Sequence, residues 1–184
     1  MYEATAMLRQ DHDAILKMLD ATEQVAGQLR SGKQVASDIL SGLLEFFQLF
    51  ADRCHHGREE DLLFPLLESK GMPRAGGPIG VMLHEHDLGR DLIRQMKESG
   101  QAYGGGDTAA GARWAVAAMG YAPLLREHIF KENNILFMMA ERMLSDEEQR
   151  NLAAEFERAE LEKMGAGTHE RLHKLMDTLL AEIA

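Results

Sequence analysis

One cysteine in 184 residues excludes an internal disulfide, and a reducing cytoplasm is the expected compartment. No stretch is long enough and free enough of charge to cross a bilayer. The start, Met1-Tyr2-Glu3-Ala4-Thr5, lacks the basic segment followed by an apolar one that marks a secretory leader. Cations are few: 20 Lys and Arg are scattered among 30 acids, for a net charge of −10. That balance excludes a nucleic-acid groove and an anionic membrane surface as partners. Strand signals are nearly absent. What is present is 45% hydrophobic residues, enough for one domain with a proper core, together with an unusual 12 Met and 8 His. Gap-filling in the core is the plainer use of the methionines.

Apolar residues recur at helical spacing throughout. A first helix is expected from Tyr2 to Leu29, with Met7, Leu8, Ile15, Met18, Leu19 and Val25 inward, ended by Arg30-Ser31-Gly32-Lys33. A second runs from Ser37, read as its N-cap, to Lys70, and residues 71–78 form a Gly/Pro loop. A third reaches Ser99, and a fourth spans Asp107 to Met143 with a local kink expected at Pro123. Short loops between long amphipathic helices predict an all-α, up-down-up-down four-helix bundle over residues 1–144. Ser145-Asp146-Glu147-Glu148 reads as a capping box, opening a helical extension over 145–184 in which Thr168 caps the last helix. Leu152, Phe156, Leu161, Leu172, Leu175 and Leu179 are expected to pack it on the bundle.

The chain repeats itself. Cys54-His55-His56-Gly57-Arg58-Glu59-Glu60-Asp61-Leu62-Leu63-Phe64 is echoed by Glu127-His128-Ile129-Phe130-Lys131-Glu132-Asn133-Asn134-Ile135-Leu136-Phe137. In both, His precedes Glu by four positions, a cation stands just before the Glu, and Leu-Phe follows. Upstream, Asp11-His12-Asp13 matches Glu85-His86-Asp87. Four residues turn a helix by about 400°, so each His and Glu share a face one turn apart. The order His, His-x-x-x-Glu, His, His-x-x-x-Glu, repeated, is the inventory of a metal site whose nitrogen and oxygen donors suit iron, manganese or zinc. His12, His55, Glu59, His86, His128 and Glu132 are the expected ligands. Glu59 and Glu132 would bridge two divalent ions, relieving their repulsion at the usual separation of about 3.5–4 Å.

His56 and Glu60 share the i,i+4 spacing and are rivals to His55 and Glu59. On a regular helix they lie about 100° away, so both pairs cannot face inward equally. The repeat favours His55 and Glu59, because position 56 aligns with Ile129 and position 60 with Asn133. His56 and Glu60 are then neighbours of the ligands or extra ligands. His84 aligns with Gln10 and is set aside. Cys54 beside a ligand is read as a buried inert thiol.

These residues, with Leu62-Leu63-Phe64-Pro65 following the first pair, resemble the hemerythrin-like, or HHE cation-binding, domains over about residues 1 to 144. The tail around Gly165-Ala166-Gly167-Thr168-His169-Glu170 is similar to an extension in some bacterial members. The resemblance implies two iron ions (Fe2+/Fe3+) bridged by the two Glu carboxylates and an oxo or hydroxo group. It also implies a small diatomic or peroxide ligand. Oxygen-carrying hemerythrins place His-x-x-x-His on the third helix, whereas here His86 is followed four residues later by Arg90. That leaves one imidazole fewer and weakens a reading as reversible O2 carrier. His169 can make up the deficit if the tail folds over the open end of the bundle; a capping or surface place is the alternative. Tyr121, seven residues before His128, either points along the core toward the metals or is a core tyrosine with its hydroxyl satisfied.

Two uses compete: a di-iron protein that binds or senses O2 or nitric oxide, and a di-iron enzyme acting on peroxide or nitric oxide or donating iron in iron-sulfur cluster repair. A structural zinc bundle is a third. Ferritin-like bundles, with two Glu-x-x-His motifs and two lone Glu, do not match this nitrogen-rich set.

Overall fold

The computed structural model describes residues 3–183. Six helices account for nearly all of them. α1 is Glu3–Arg30; its expected start at Tyr2 lies outside the described residues. α2 covers 37–69 and changes character along its length: α-helical at Ser37–Phe46, π-helical at Phe47–His56 and Glu59–Leu63, and α-helical again at Phe64–Ser69. α3 is Pro78–Gly104. α4 covers 110–143, with a π segment at Glu132–Leu136 between Ala110–Lys131 and Phe137–Met143. α5 (Asp146–Met164) and α6 (Thr168–Ile183) follow. The first four make an up-down-up-down four-helix bundle, and no helix among the described residues is long and apolar enough to cross a membrane.

Local chemistry explains most boundaries, and several differ from expectation. α1 ends where Gly32 takes φ +80, a left-handed turn that L side chains resist. Ala36, extended at φ −61 and ψ 134, occupies the cap of α2, so Ser37 is its first helical residue and not its cap. α3 runs past Ser99 and Gly100 to Gly104. Tyr103 holds its last turn by donating its hydroxyl to the Val35 carbonyl (3.0 Å) and accepting from the Val35 amide (3.1 Å). α4 starts at Ala110, after Asp107 accepts from the Ala109 amide in a turn, and it is unbroken through Pro123. The capping box at Ser145 is complete: its hydroxyl accepts from the Glu148 amide while the Glu148 carboxylate accepts from the Ser145 amide. Thr168 does not cap α6; it is the first helical residue, and its hydroxyl donates back to the Met164 carbonyl (2.6 Å).

Two apolar clusters fill the bundle. One gathers Met18, Phe46, Phe47, Phe50, Met96 and Trp114; the other gathers Leu8, Leu63, Phe64, Met82, Phe137 and Phe156. The tail belongs to both. Leu152 and Phe156 of α5 are 4% and 0% exposed, and each such burial is worth about 1.5–3 kcal/mol at most. Leu161, 58% exposed, is a correction: it falls about 140° around the helix from Phe156, off the buried stripe. α6 lies against α1 and α2, and Gly42 leaves room for the end of the Leu179 side chain, which a Cβ there would meet at 2.9 Å.

Candidate metal centre

Between the two clusters, where apolar side chains would be expected, the bundle buries polar ones. His12, His55, His56, Glu59, His86, His128 and Glu132 are each at most 4% exposed. They form two groups of candidate ligand atoms: His12, His55, Glu59 and Glu132 on one side, and His56, Glu59, His86 and His128 on the other. His12 Nε2 and His55 Nε2 are 3.0 Å apart, and His86 Nε2 and His128 Nε2 are 3.1 Å apart. Glu59 belongs to both groups, and Glu132, of the first, also reaches His128 of the second. Glu132 places Oε2 3.1 Å from His12 Nε2 and Oε1 3.2 Å from His128 Nε2. Glu59 places Oε1 3.7 Å from His55 Nε2 and Oε2 3.5 Å from His86 Nε2. Despite these approaches, all four carboxylate oxygens lack a hydrogen bond and are cut off from solvent.

The other ring nitrogens explain why the imidazoles point inward. His55 Nδ1 faces Asp11 Oδ2 (3.2 Å), His128 Nδ1 faces Glu85 Oε2 (3.0 Å), and His86 Nδ1 faces Glu60 Oε1 (2.6 Å). His12 Nδ1 faces Asn133 Oδ1 (2.9 Å), and His56 Nδ1 lies 3.4 Å from Asp52 Oδ1. With Nδ1–H donated to these oxygens, each ring offers Nε2 to the centre, the arrangement that orients metal-bound histidines. Cations balance the acceptors: Arg58 binds Asp11 (2.8 Å) and Glu160, Lys131 binds Glu85, and Arg90 binds both Asp52 (2.8 Å) and Glu60 (2.7 Å). Phe137 stacks on His12 at 5.5 Å and 7°, and Phe64 on His86 at 6.0 Å and 19°, so the second apolar cluster closes the centre on that side.

His56, expected beside the ligands or as an extra one, lies within the centre. The 100° argument holds for an α-helix, but Phe47–His56 is π-helical. Its i→i+5 hydrogen bonds widen the turn, so neighbouring side chains lie less than about 100° apart and both fit against the centre. His55 and His56 are accordingly 1% and 4% exposed, and the His56 ring stacks on His86 at 3.8 Å. The count of inward imidazoles is five, not four, although Arg90 stands where a histidine would. Glu60 does not join either group; it holds His86. His84 faces solvent. His169 is in neither group and sits 5.6 Å from Phe50 and 4.5 Å from His173, ring to ring. Tyr121 is 3% exposed, packs edge-on against Phe47 at 5.0 Å, and approaches Gly89. Burial and then the Asp52 charge keep its phenol neutral.

Electrostatics show a site built for a positive occupant. Burial, reinforced by the facing charge of Glu132, pushes the Glu59 carboxyl well above the usual range. Burial works against Glu132 as well, but His128 and His12 hold it well below. Burial drives His56 well down and His86 to about 3, keeping both neutral, whereas the carboxylates Glu132 and Glu85 outweigh burial at His128 and raise it to about 9. Without a cation the buried Glu59 carboxyl is forced toward its protonated form and Glu132 is balanced mainly by His128; positive ions among these donors would relieve both costs, so the donor set fits metal ions. Cys54 is pushed up to about 12 by burial and stays a neutral thiol.

The roles of Asp11, Asp52, Glu85, Asn133 and the Phe pair went unread in the sequence, although a signal existed. The acid before each lone His, the cation before each Glu and the Leu-Phe after it all repeat. Asp52 alone has no counterpart, since position 125 is Leu.

Among curated proteins, the chain is 34% identical over 137 residues to the iron-sulfur cluster repair protein YtfE of Edwardsiella ictaluri, covering 71% of this chain and 60% of that one. It is 37% identical over 86 residues to the iron-sulfur cluster repair protein DnrN of Neisseria gonorrhoeae, covering 45% and 54%. With YtfE of Dickeya chrysanthemi the figures are 37% over 89 residues, covering 47% and 40%. The chain thus spans about 40–60% of the length of these relatives. No solved structure gives a significant match. The model of the hemerythrin HHE cation-binding domain matches residues 3–140, and with the duplicated His and Glu set buried at its centre the chain belongs to that family.

Proposed function

We propose that residues 1–144 hold two iron ions, with a bridging oxo or hydroxo group completing the cofactor, and that the pair takes up a small ligand such as O2, nitric oxide or peroxide. The observation that carries this reading is the placement of Glu59 and Glu132, each with one oxygen toward His12 and His55 and the other toward His86 and His128. One ion would be held by His12, His55 and one oxygen of each carboxylate. The other would be held by His56, His86, His128 and the remaining oxygens. Iron in such surroundings supplies redox and ligand-exchange chemistry.

The protein's part is unequal on the two sides. Three imidazoles serve one position and two the other, so the His12–His55 side keeps more room for an exogenous ligand. Five Nδ1–H bonds hold the rings in place, and Phe137 and Phe64 cover His12 and His86. Anaerobic titration with ferrous ion followed by rapid mixing with O2 or nitric oxide tests this. Uptake of two equivalents and a new charge-transfer band are expected. Uptake well short of two, or spectra indifferent to both gases, would reject it.

The relatives favour a second reading, in which the same centre serves iron-sulfur cluster repair. Restoration of a damaged iron-sulfur enzyme by the iron-loaded chain, absent with the metal-free chain or free iron at equal concentration, would support it. A chain with one buried cysteine and no disulfide to form suits a reducing cytoplasm, where we place it.

A further inference from the structure

The centre has an approximate twofold repeat, and one part of it has no counterpart. His12 aligns with His86, His55 with His128, Glu59 with Glu132, Asp11 with Glu85 and Arg58 with Lys131. The exception is a chain of three polar residues, His56, Asp52 and Arg90, whose aligned positions are Ile129, Leu125 and Leu16. All three departures meet at one place. Arg90 donates from Nε to Asp52 Oδ1 (2.8 Å) and from Nη2 to Glu60 Oε1 (2.7 Å), with Nη1 near Asp87 (3.3 Å). The same Asp52 oxygen faces His56 Nδ1, and the same Glu60 oxygen faces His86 Nδ1. A planar guanidinium therefore sets the spacing of two carboxylates, and the carboxylates set two imidazoles, which stack at 3.8 Å and 16°.

We propose that Arg90 is a positioning residue: through Asp52 and Glu60 it aims the His56 imidazole, beside His86, at the cation position they share with His128. The third imidazole of that position then comes from α2, not α3, and the arginine on α3 is what makes the exchange work. Deleting the cation leaves two neighbouring carboxylates repelling each other, with the His56 ring no longer fixed. A lysine keeps the charge but loses the fork, so it holds one carboxylate at a time.

This rests on the two-ion reading above, and the test separates the two. The probe is cobalt(II) under anaerobic conditions, followed by calorimetry and by its visible ligand-field bands. Wild type should bind two equivalents. Arg90→Gln should bind one as wild type does and the other about 10–100-fold more weakly, with the bands of one ion altered. Arg90→Lys should fall between. Asp52→Asn should weaken the same ion, and the Arg90→Gln, Asp52→Asn double variant should be little worse than either single one. Metal-free melting should be close to wild type in the single variants. Arg90→Gln with both affinities and the spectrum unchanged would overturn the inference while leaving two-ion binding intact. So would equal weakening of both ions with a lower metal-free melting temperature, the mark of a merely structural tie between helices. Wild type binding fewer than two equivalents would sink the underlying reading instead.

Discussion

The two halves of the bundle, α1–α2 and α3–α4, were built to one plan and then made unequal. In each, the residue before the lone histidine holds the other histidine of the same half: Asp11 holds His55, and Glu85 holds His128. In each, the residue after the buried glutamate reaches across: Glu60 to His86, and Asn133 to His12. The Phe of each Leu-Phe pair covers the lone histidine of the opposite half. Even the π turns at Glu59–Leu63 and Glu132–Leu136 correspond. What differs is the additional π segment Phe47–His56, whose counterpart in α4 is ordinary α-helix. A local change of helix type thus adds a fifth imidazole to one side. Asymmetry in a duplicated site can come from backbone winding as well as from exchanging side chains.

Removing the shared elements should hurt most. Glu59→Gln combined with Glu132→Gln is expected to abolish uptake of both ferrous ions, measured by anaerobic titration. Without metal, Glu59→Gln alone should raise the melting temperature by about 2–4 °C or more, the shift that about 1 kcal/mol produces at this chain length. The sign follows from burial holding the Glu59 carboxyl protonated in the fold: that raised carboxyl is a stability cost at neutral pH, above its unfolded range. A melting temperature lowered in the metal-free variant would contradict this picture.

Making the halves alike should cost less. His56→Ile installs the residue of the second half and should weaken one ion by at least about 10-fold while sparing the other. Loss of both ions together would mean that His56 is not specific to one side. The matched supports should behave as a pair. Asp11→Asn and Glu85→Gln are each expected to weaken one ion by about 10-fold, and not the same one. Calorimetry on each single variant and on the double would show whether the effects add.

The smallest expected effect is on pH dependence. Below the unfolded value of 6.5, an unfolded histidine binds a proton that folded His86 refuses until about 3. Between those values the unfolded chain holds more protons, so the metal-free fold should weaken as pH falls; His55 and His56, also lowered by burial, act in the same direction. His128 runs opposite: its contribution is complete below 6.5 and fades as pH rises through about 9. His128→Gln should therefore flatten the alkaline limb alone, and thermal melts from pH 4 to pH 9.5 would show whether it does.

Most of the bundle was legible because helix periodicity, loop glycines and a capping box are local signals. The errors sit where tertiary contacts override local ones. α3 continues through Gly100 because Tyr103 is anchored on Val35; Leu161 is a different case, exposed because helical phase alone carries it off the stripe of Phe156. The repeated His-x-x-x-Glu motifs could be read because four-residue spacing fixes a shared face on any helix. His56 could not be placed, since its orientation depends on a π segment that a 3.6-residue template does not anticipate.

The residue order alone determined the helical class, the family and the duplicated set of histidines and glutamates, because spacing along a helix dictates which side chains share a face. Only the folded chain decided how many imidazoles enter the centre and what holds each one. Those answers depend on helix winding and on partners up to 121 residues apart, as between His12 and Asn133, which come within bonding distance only when the helices pack.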